Sequence, residues 1–210
     1  MANTIAVLGV GPGSADYLTP AAAKHISEAG VLVGASRLLK TFAQPGQICN
    51  PITANLQDTV LIIKEQCKQH KVAVLVSGDS GLYSFANYLT KYINEDLLEI
   101  VPGISSVQLL FARLKKPWQQ ATVISMHGRT DEKLVKFVKE KELVAVLTGK
   151  DNTPQTIAGW LISAGCDDNA PVKVGCNLSY ENEYIYCGNL SQLQQCCHQL
   201  TNCVMVIGDV

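Results

Sequence analysis

The sequence predicts an α/β protein of two successive α/β halves: a parallel sheet with flanking helices in the first and a mixed sheet in the second. Three observations carry this. Short apolar, β-branched runs alternate with stretches of helical periodicity through the first half. Glycine-containing turns follow several of those runs, at the strand ends where an open parallel sheet receives its ligand. Late in the chain two β-rich runs are joined by a polar loop, which suits a hairpin and therefore a mixed sheet.

Thr4 to Val10 is the first strand, ending in Gly9-Val10-Gly11-Pro12-Gly13-Ser14. Thr19 followed by Pro20 opens a helix, because the hydroxyl caps free amides and proline at the first helical position loses no needed donor. That helix runs to about Ala29 and stops at Gly30, where a positive φ is expected. Val31 to Val33 is a second short strand, and residues 45–54 give a third, weaker strand or a loop. Leu56 to Gln69 is an amphipathic helix with Val60, Ile63 and Cys67 along one side. Val72 to Val76 is a buried strand leading into Gly78-Asp79-Ser80-Gly81-Leu82-Tyr83-Ser84. The spacing of Leu82, Phe85, Ala86, Leu89 and Ile93 predicts a helix from Leu82 to about Asn94. Leu97 to Val101 is the next strand, closed by Pro102-Gly103-Ile104-Ser105-Ser106, and a helix follows to Arg113.

The apolar pattern then breaks at Lys115-Lys116-Pro117-Trp118, which we read as a linker between a domain at 1–114 and one at 119–210. The second half opens with the strand Thr122 to Met126 and the turn His127-Gly128-Arg129. A lysine-rich helix from Glu132 to Lys141, the strand Leu143 to Leu147 and a helix from Pro154 to near Gly165 follow. Val172 to Asn177 and Glu183 to Cys187 form the expected hairpin; a helix near Ser191 to Gln199 and the strand Cys203 to Ile207 complete the order.

Composition excludes several classes of partner. At a net charge of -1 with 17% charged residues, there is no global pull toward nucleic acid or anionic lipid, so anions must be gathered locally. The eight cysteines lack paired CxxC spacing with a matching histidine set, so no protein-bound metal is expected, and most read as small buried hydrophobes in a reducing compartment. No basic leader precedes a long apolar stretch and no run reaches membrane-spanning length, which predicts a cytoplasmic protein with no membrane contact.

The first glycine loop follows a strand and precedes a helix, which invites a dinucleotide site. Its spacing argues against one: the third glycine comes two positions after the second, and Val31-Leu32-Val33 runs into Gly34-Ala35-Ser36 where a ribose-binding acid would be needed. A P-loop is excluded, since no Gly-Lys-Ser/Thr follows.

Taken in order, Gly9-Val10-Gly11-Pro12-Gly13, Gly78-Asp79-Ser80-Gly81-Leu82-Tyr83-Ser84 and Val101-Pro102-Gly103-Ile104-Ser105-Ser106 resemble the turns of the tetrapyrrole methylases. Ser125-Met126-His127-Gly128-Arg129 and Asn177-Leu178-Ser179-Tyr180 with Glu183 resemble, more narrowly, the branch that methylates C5 of a corrin precursor. The resemblance spans residues 5–208. It implies the tetrapyrrole methylase fold of two α/β domains, S-adenosylmethionine as methyl donor in the cleft between them, and a commonly dimeric enzyme of cobalamin biosynthesis. Carried over by position, Pro12 lies beside the methionine portion of the cofactor. Ser77, Gly78, Asp79 and Leu82 line the central turn, and Ser105 and Ser106 the third. Leu147 and Leu178 offer main-chain groups and apolar cover to the adenine.

The implied substrate is an anionic tetrapyrrole, cobalt-precorrin-7 or its metal-free counterpart. Arg37 and Arg129, at carboxyl ends of strands, are the candidates to grip its carboxylates. His127 is a third candidate at the substrate, although a histidine at a strand end is more often a hydrogen-bonded turn residue. Some relatives carry an acid after the second strand as proton acceptor; Ser36 stands there in this chain, so no general base is assigned. Some relatives are also fused to a second methyltransferase acting at C15 with decarboxylation; here that partner is expected to be a separate protein. The rival readings are a methylase acting at another ring carbon, a dinucleotide-dependent oxidoreductase and a non-catalytic tetrapyrrole-binding module.

Overall fold

The computed structural model describes residues 4–209. The chain divides into two compact units, the first ending at Ser105 and the second opening at Ser106.

In the first unit the order is β1 (Ile5–Gly9), α1 (Pro20–Glu28), β2 (Val31–Gly34), α2 (Ser36–Phe42), β3 (Ile48–Pro51), α3 (Leu56–Gln66), β4 (Val72–Val76), α4 (Ala86–Leu89) and β5 (Leu98–Val101). The five strands form one parallel sheet in the order β3-β2-β4-β1-β5. Side chains alternate between its faces with the period of two that a strand imposes. Ile5, Val7, Val72 and Val74 pack toward Val60 and Ile63 of α3 and Leu89 of α4, whereas Ala6, Leu8, Ala73 and Leu75 pack toward Ile26 of α1 and Leu38 and Phe42 of α2. Both faces are covered, which is why β4 reads as an unbroken apolar run. The connection leaving β1 runs to β2, and that leaving the adjacent β4 runs the other way to β5. This reversal of direction is where a parallel sheet opens a crevice at its carboxyl end.

The α1 start is as expected: Thr19 Oγ1 accepts from Ala22 N at 3.2 Å, with Pro20 at the first position. Gly30 does not take the positive φ expected of it. Its N–H instead donates to Lys71 O at 3.0 Å as the chain enters β2 directly. The helix expected over residues 82–94 shrinks to α4. Ser84 Oγ bonds to Ser80 O and accepts from Ala86 N, and Tyr83 sits at φ 48. Local serine bonds and a left-handed residue compete with the helical ladder, so residues 77–85 remain a series of turns.

The second unit contains α5 (Ser106–Leu114), β6 (Thr122–Ser125), α6 (Lys133–Lys139), β7 (Val144–Leu147), α7 (Pro154–Ser163), β8 (Pro171–Cys176), β9 (Tyr184–Asn189), α8 (Leu190–Gln194) and β10 (Cys203–Ile207). Its sheet has the order β6-β7-β10-β8-β9 and is mixed: β6 and β7 are parallel, and the remaining pairs antiparallel. The expected hairpin is β8 with β9. Thr153 Oγ1 caps α7 at Thr156 N, and Asn189 with Gln192 forms a reciprocal capping box at α8. Leu134, Ile157, Leu161, Val174, Leu193 and Met205 are central to the core.

The division falls ahead of the expected linker, and α5 goes with the second unit. Leu110 Cδ1 crowds the backbone of β8 so closely that a Cβ at Gly175 would lie 2.9 Å from it. The break at 115–118 is the cap of α5: Lys115 is left-handed at φ 57, and Lys116 N donates back to Phe111 O at 3.1 Å. The cysteines also depart from expectation. All eight are free, but only Cys67, Cys166 and Cys176 are buried. Cys176 and Cys203 face each other across β8 and β10 with sulfurs 2.9 Å apart; the hydrogen bond between the two thiols holds that of Cys176 below its ordinary range and pushes that of Cys203 up. Among the described residues no helix is long and apolar enough to cross a membrane.

Candidate functional site

In the first unit the three glycine turns meet at the carboxyl ends of β1, β4 and β5. Gly11 and Gly78 exchange two backbone hydrogen bonds, Gly11 N to Gly78 O at 3.2 Å and Gly78 N to Gly11 O at 2.8 Å. Gly103 packs against both strands' ends: a Cβ there would lie 2.4 Å from Gly78 O and 2.4 Å from Gly9 O. A side chain at Gly103 would therefore force the turns apart. The result is a surface built of backbone, in which Gly11 and Gly78 hold positive φ of 79° and 69°.

Asp79 fastens this arrangement. Its Oδ1 accepts from Gly81 N at 2.9 Å and its Oδ2 from Gly103 N at 2.9 Å, so one carboxylate ties the central turn to itself and to the third turn. Ser80 adds a second tie, donating from a buried Oγ to Val101 O at 2.9 Å. Pro12 and Ser105 are buried beside these turns, Gly78, Leu82 and Ser106 are half-buried, and Ser77 is exposed at the end of β4. Arg37, exposed on α2, donates through Nη2 to Ser77 Oγ, which brings two of the expected residues together. Ser36, the position after β2, is the first residue of α2 and no acid stands there.

In the second unit the remaining residues flank the ends of β6, β7 and β8. Leu147 ends β7, half-buried, with its carbonyl accepting from Met126 N at 2.8 Å, so its strand pairing already uses that group. Leu178 follows β8 and differs. The whole residue is 3% exposed, and among the described residues neither its N–H nor its C=O makes a hydrogen bond, so both are buried without a partner. His127 Nδ1 lies 3.2 Å from Thr148 O; a carbonyl only accepts, so Nδ1 is the donor of this bond. Arg129 is exposed and donates from Nε to Ser125 O at 2.9 Å. The sequence marks Asn152 only as part of the Asn152-Thr153-Pro154 helix start; in the structure its Nδ2 donates to Met126 O and Arg129 O, both at 2.8 Å, and so pins the 126–129 turn.

Arg113, at the end of α5, was missed in the sequence. Its Nε and Nη2 donate to Glu183 Oε1 and Oε2 at 2.5 and 3.2 Å, a forked ion pair, and Ser179 N donates to Glu183 Oε2 at 2.7 Å. The hydrogen bond from Arg113 holds the Glu183 carboxyl below its ordinary value, with the Ser179 amide adding to it and partial burial opposing.

Residues 4–194 match the family model for tetrapyrrole (corrin/porphyrin) methylases. The chain belongs to that family. This tetrapyrrole methylase is 32% identical over 194 residues to the probable cobalt-precorrin-7 C(5)-methyltransferase of Methanocaldococcus jannaschii, a match covering 90% of each chain. Its fold matches the cobalamin biosynthesis precorrin-6Y methylase of Archaeoglobus fulgidus at a TM-score of 0.76 and 22% identity, over 99% of this chain and 98% of that one. It also matches the uroporphyrin-III C-methyl transferase of Thermus thermophilus, solved with S-adenyl homocysteine, at a TM-score of 0.80 and 19% identity over 99% and 98% of the two chains. The five motifs quoted from the sequence thus lie on a methylase fold, and the glycine turns occupy the carboxyl edge of its first sheet.

Proposed function

We propose that this tetrapyrrole methylase transfers the methyl group of S-adenosylmethionine to C5 of cobalt-precorrin-7 or its metal-free counterpart. The observation that carries the cofactor reading is the backbone surface of Gly9, Gly11, Gly78 and Gly103, kept clear of side chains at the switch point of a parallel sheet. The identity to a relative named for C5 methylation supports the regiochemistry. Such a surface suits a zwitterionic, purine-bearing ligand, since amides and carbonyls read polar edges without adding charge.

The cofactor supplies an electrophilic methyl on a sulfonium, and the electron-rich macrocycle carbon is itself the nucleophile. The protein's contribution is then to hold the two in line and to exclude water. Pro12, Ser77, Gly78, Asp79, Leu82, Ser105 and Ser106 serve the cofactor from the first unit, Asp79 by fixing the turns. Leu147 and Leu178 serve it from the second. Arg37 and Arg129 supply exposed guanidinium groups for a substrate rich in carboxylates, in a protein with no net cationic charge to offer. His127, whose Nδ1 is held by Thr148 O, is the remaining polar group proposed for the substrate.

The test is calorimetric titration with S-adenosylhomocysteine, with NADH as the control ligand. Micromolar binding of the first and none of the second is the expected result; no binding of S-adenosylhomocysteine by the wild type sinks the reading. Transfer of a labelled methyl group to the corrin precursor, with the product's methylated carbon located by NMR, then tests C5 against other ring positions.

A further inference from the structure

We infer that the Arg113–Glu183 ion pair is a specificity device: it holds the 177–183 loop so that the main chain of Leu178 reads the adenine of the cofactor. The inference rests on the cofactor reading above and deepens it.

The loop is held in a conformation it would not choose alone. Asn177 and Ser179 are both left-handed without being glycine, at φ 48 and 75. Such residues persist only where the surroundings over-determine them. Here Asn177 N donates to Asn202 O at 3.2 Å, Tyr180 N to Asn177 O at 3.0 Å and Glu183 N to Tyr180 O at 3.0 Å. The Glu183 carboxylate closes the loop by taking the Ser179 amide, and Arg113 fixes that carboxylate from a different element, α5. Each loop amide named has a partner, yet the donor and acceptor of Leu178, lying between the two left-handed residues, have none. The Leu178 side chain cannot swing away to relieve this, because it is buried against Gly175, where a Cβ would lie 2.9 Å from its Cδ2.

An open donor and an open acceptor on one residue match the adenine edge, whose N1 accepts and whose 6-amino group donates. A 6-oxo purine reverses both, presenting a donor at N1 and an acceptor at C6. A site that reads this edge therefore discriminates between the two bases, and the discrimination depends on the loop staying in place. Arg113 and Glu183 act through Leu178 and are positioning residues.

The experiment compares S-adenosylhomocysteine with S-inosylhomocysteine by calorimetry on the wild type, R113M and R113K. The wild type is expected to prefer the adenosyl compound by tenfold or more. In R113M that preference collapses toward one, through loss of adenosyl binding, and R113K restores part of it. Equal weakening of both ligands in R113M, or an unchanged preference, overturns the inference, since a merely structural role would move both affinities together. A wild type that binds both compounds alike overturns it too, while failure to bind either one refutes the cofactor reading itself. Arg113 is partly exposed, so R113M is not expected to unfold; should it do so, E183D carries the same comparison, with the charge retained on a stem one methylene shorter.

Discussion

At Asp79 the carboxylate is occupied by two amides, so its removal loosens two turns at once. Hydrogen bonds to a charged acceptor are worth about 1.5–3 kcal/mol each, and both amides would be left without it. Asp79→Ala is expected to weaken S-adenosylhomocysteine binding by about tenfold or more and to lower the melting temperature. Asp79→Asn, which keeps one acceptor oxygen, should fall between. Gly103→Ala should do more harm than either, because its Cβ meets carbonyl oxygens that cannot move without parting β1 from the central turn. Calorimetry and thermal melts of the three variants check this order. The sequence made the glycines legible as turns and Asp79 legible as part of one. It did not show that Asp79 reaches Gly103, 24 residues on, or that Arg113 meets Glu183, 70 residues away, since neither pairing has a local pattern.

Glu183 has a pH signature of its own. Its folded value lies below the ordinary 4.5, so its contribution to stability is complete above 4.5 and is lost as pH falls through the lowered value. At pH 7 Glu183→Gln should cost about 1 kcal/mol, a modest figure because Arg113 is 37% exposed and screened by solvent. The gap between variant and wild type should narrow as pH drops below 4.5, where the wild type also loses its charge. A gap that is constant across that range would show that the ion pair contributes nothing at neutral pH.

At the scale of elements, helix starts were the most legible features, because their chemistry is confined to four residues. Thr19-Pro20 caps α1 as its sequence foretells, and Thr153-Pro154, the same pair of residue types, caps α7 in the same way. Thr153→Ala should cost about 1 kcal/mol, read as a fall of a few degrees in melting temperature, since the Thr156 amide loses its acceptor. Thr153→Ser should be nearly neutral. The strands were legible for a different reason: a sheet covered on both faces demands continuous apolar runs. Residues 82–94 were misread because apolar spacing records only which side chains face inward. Phe85, Ala86, Leu89 and Ile93 do pack on the sheet, but Ser80, Ser84 and Tyr83 leave too little of the segment helical to match the pattern.

For the whole molecule, the question is where one folding unit ends. The sequence shows a break at Lys115-Lys116-Pro117-Trp118, and the structure shows why that break ends a helix without ending a domain. Lys116 N closes back on Phe111 O, while Leu110 of α5 covers β8 at Gly175 and Arg113 of α5 holds Glu183. Each of these contacts lies within the unit that opens at Ser106. A fragment of residues 106–210 should therefore fold cooperatively, with a defined thermal transition and dispersed amide resonances. A fragment of residues 119–210 keeps all the strands of the mixed sheet but leaves one face of β8 bare and Glu183 without its cation. It should melt at markedly lower temperature or remain a loose, dye-binding state. Equal stability of the two fragments would return α5 to the first unit and make the 115–118 break a true linker.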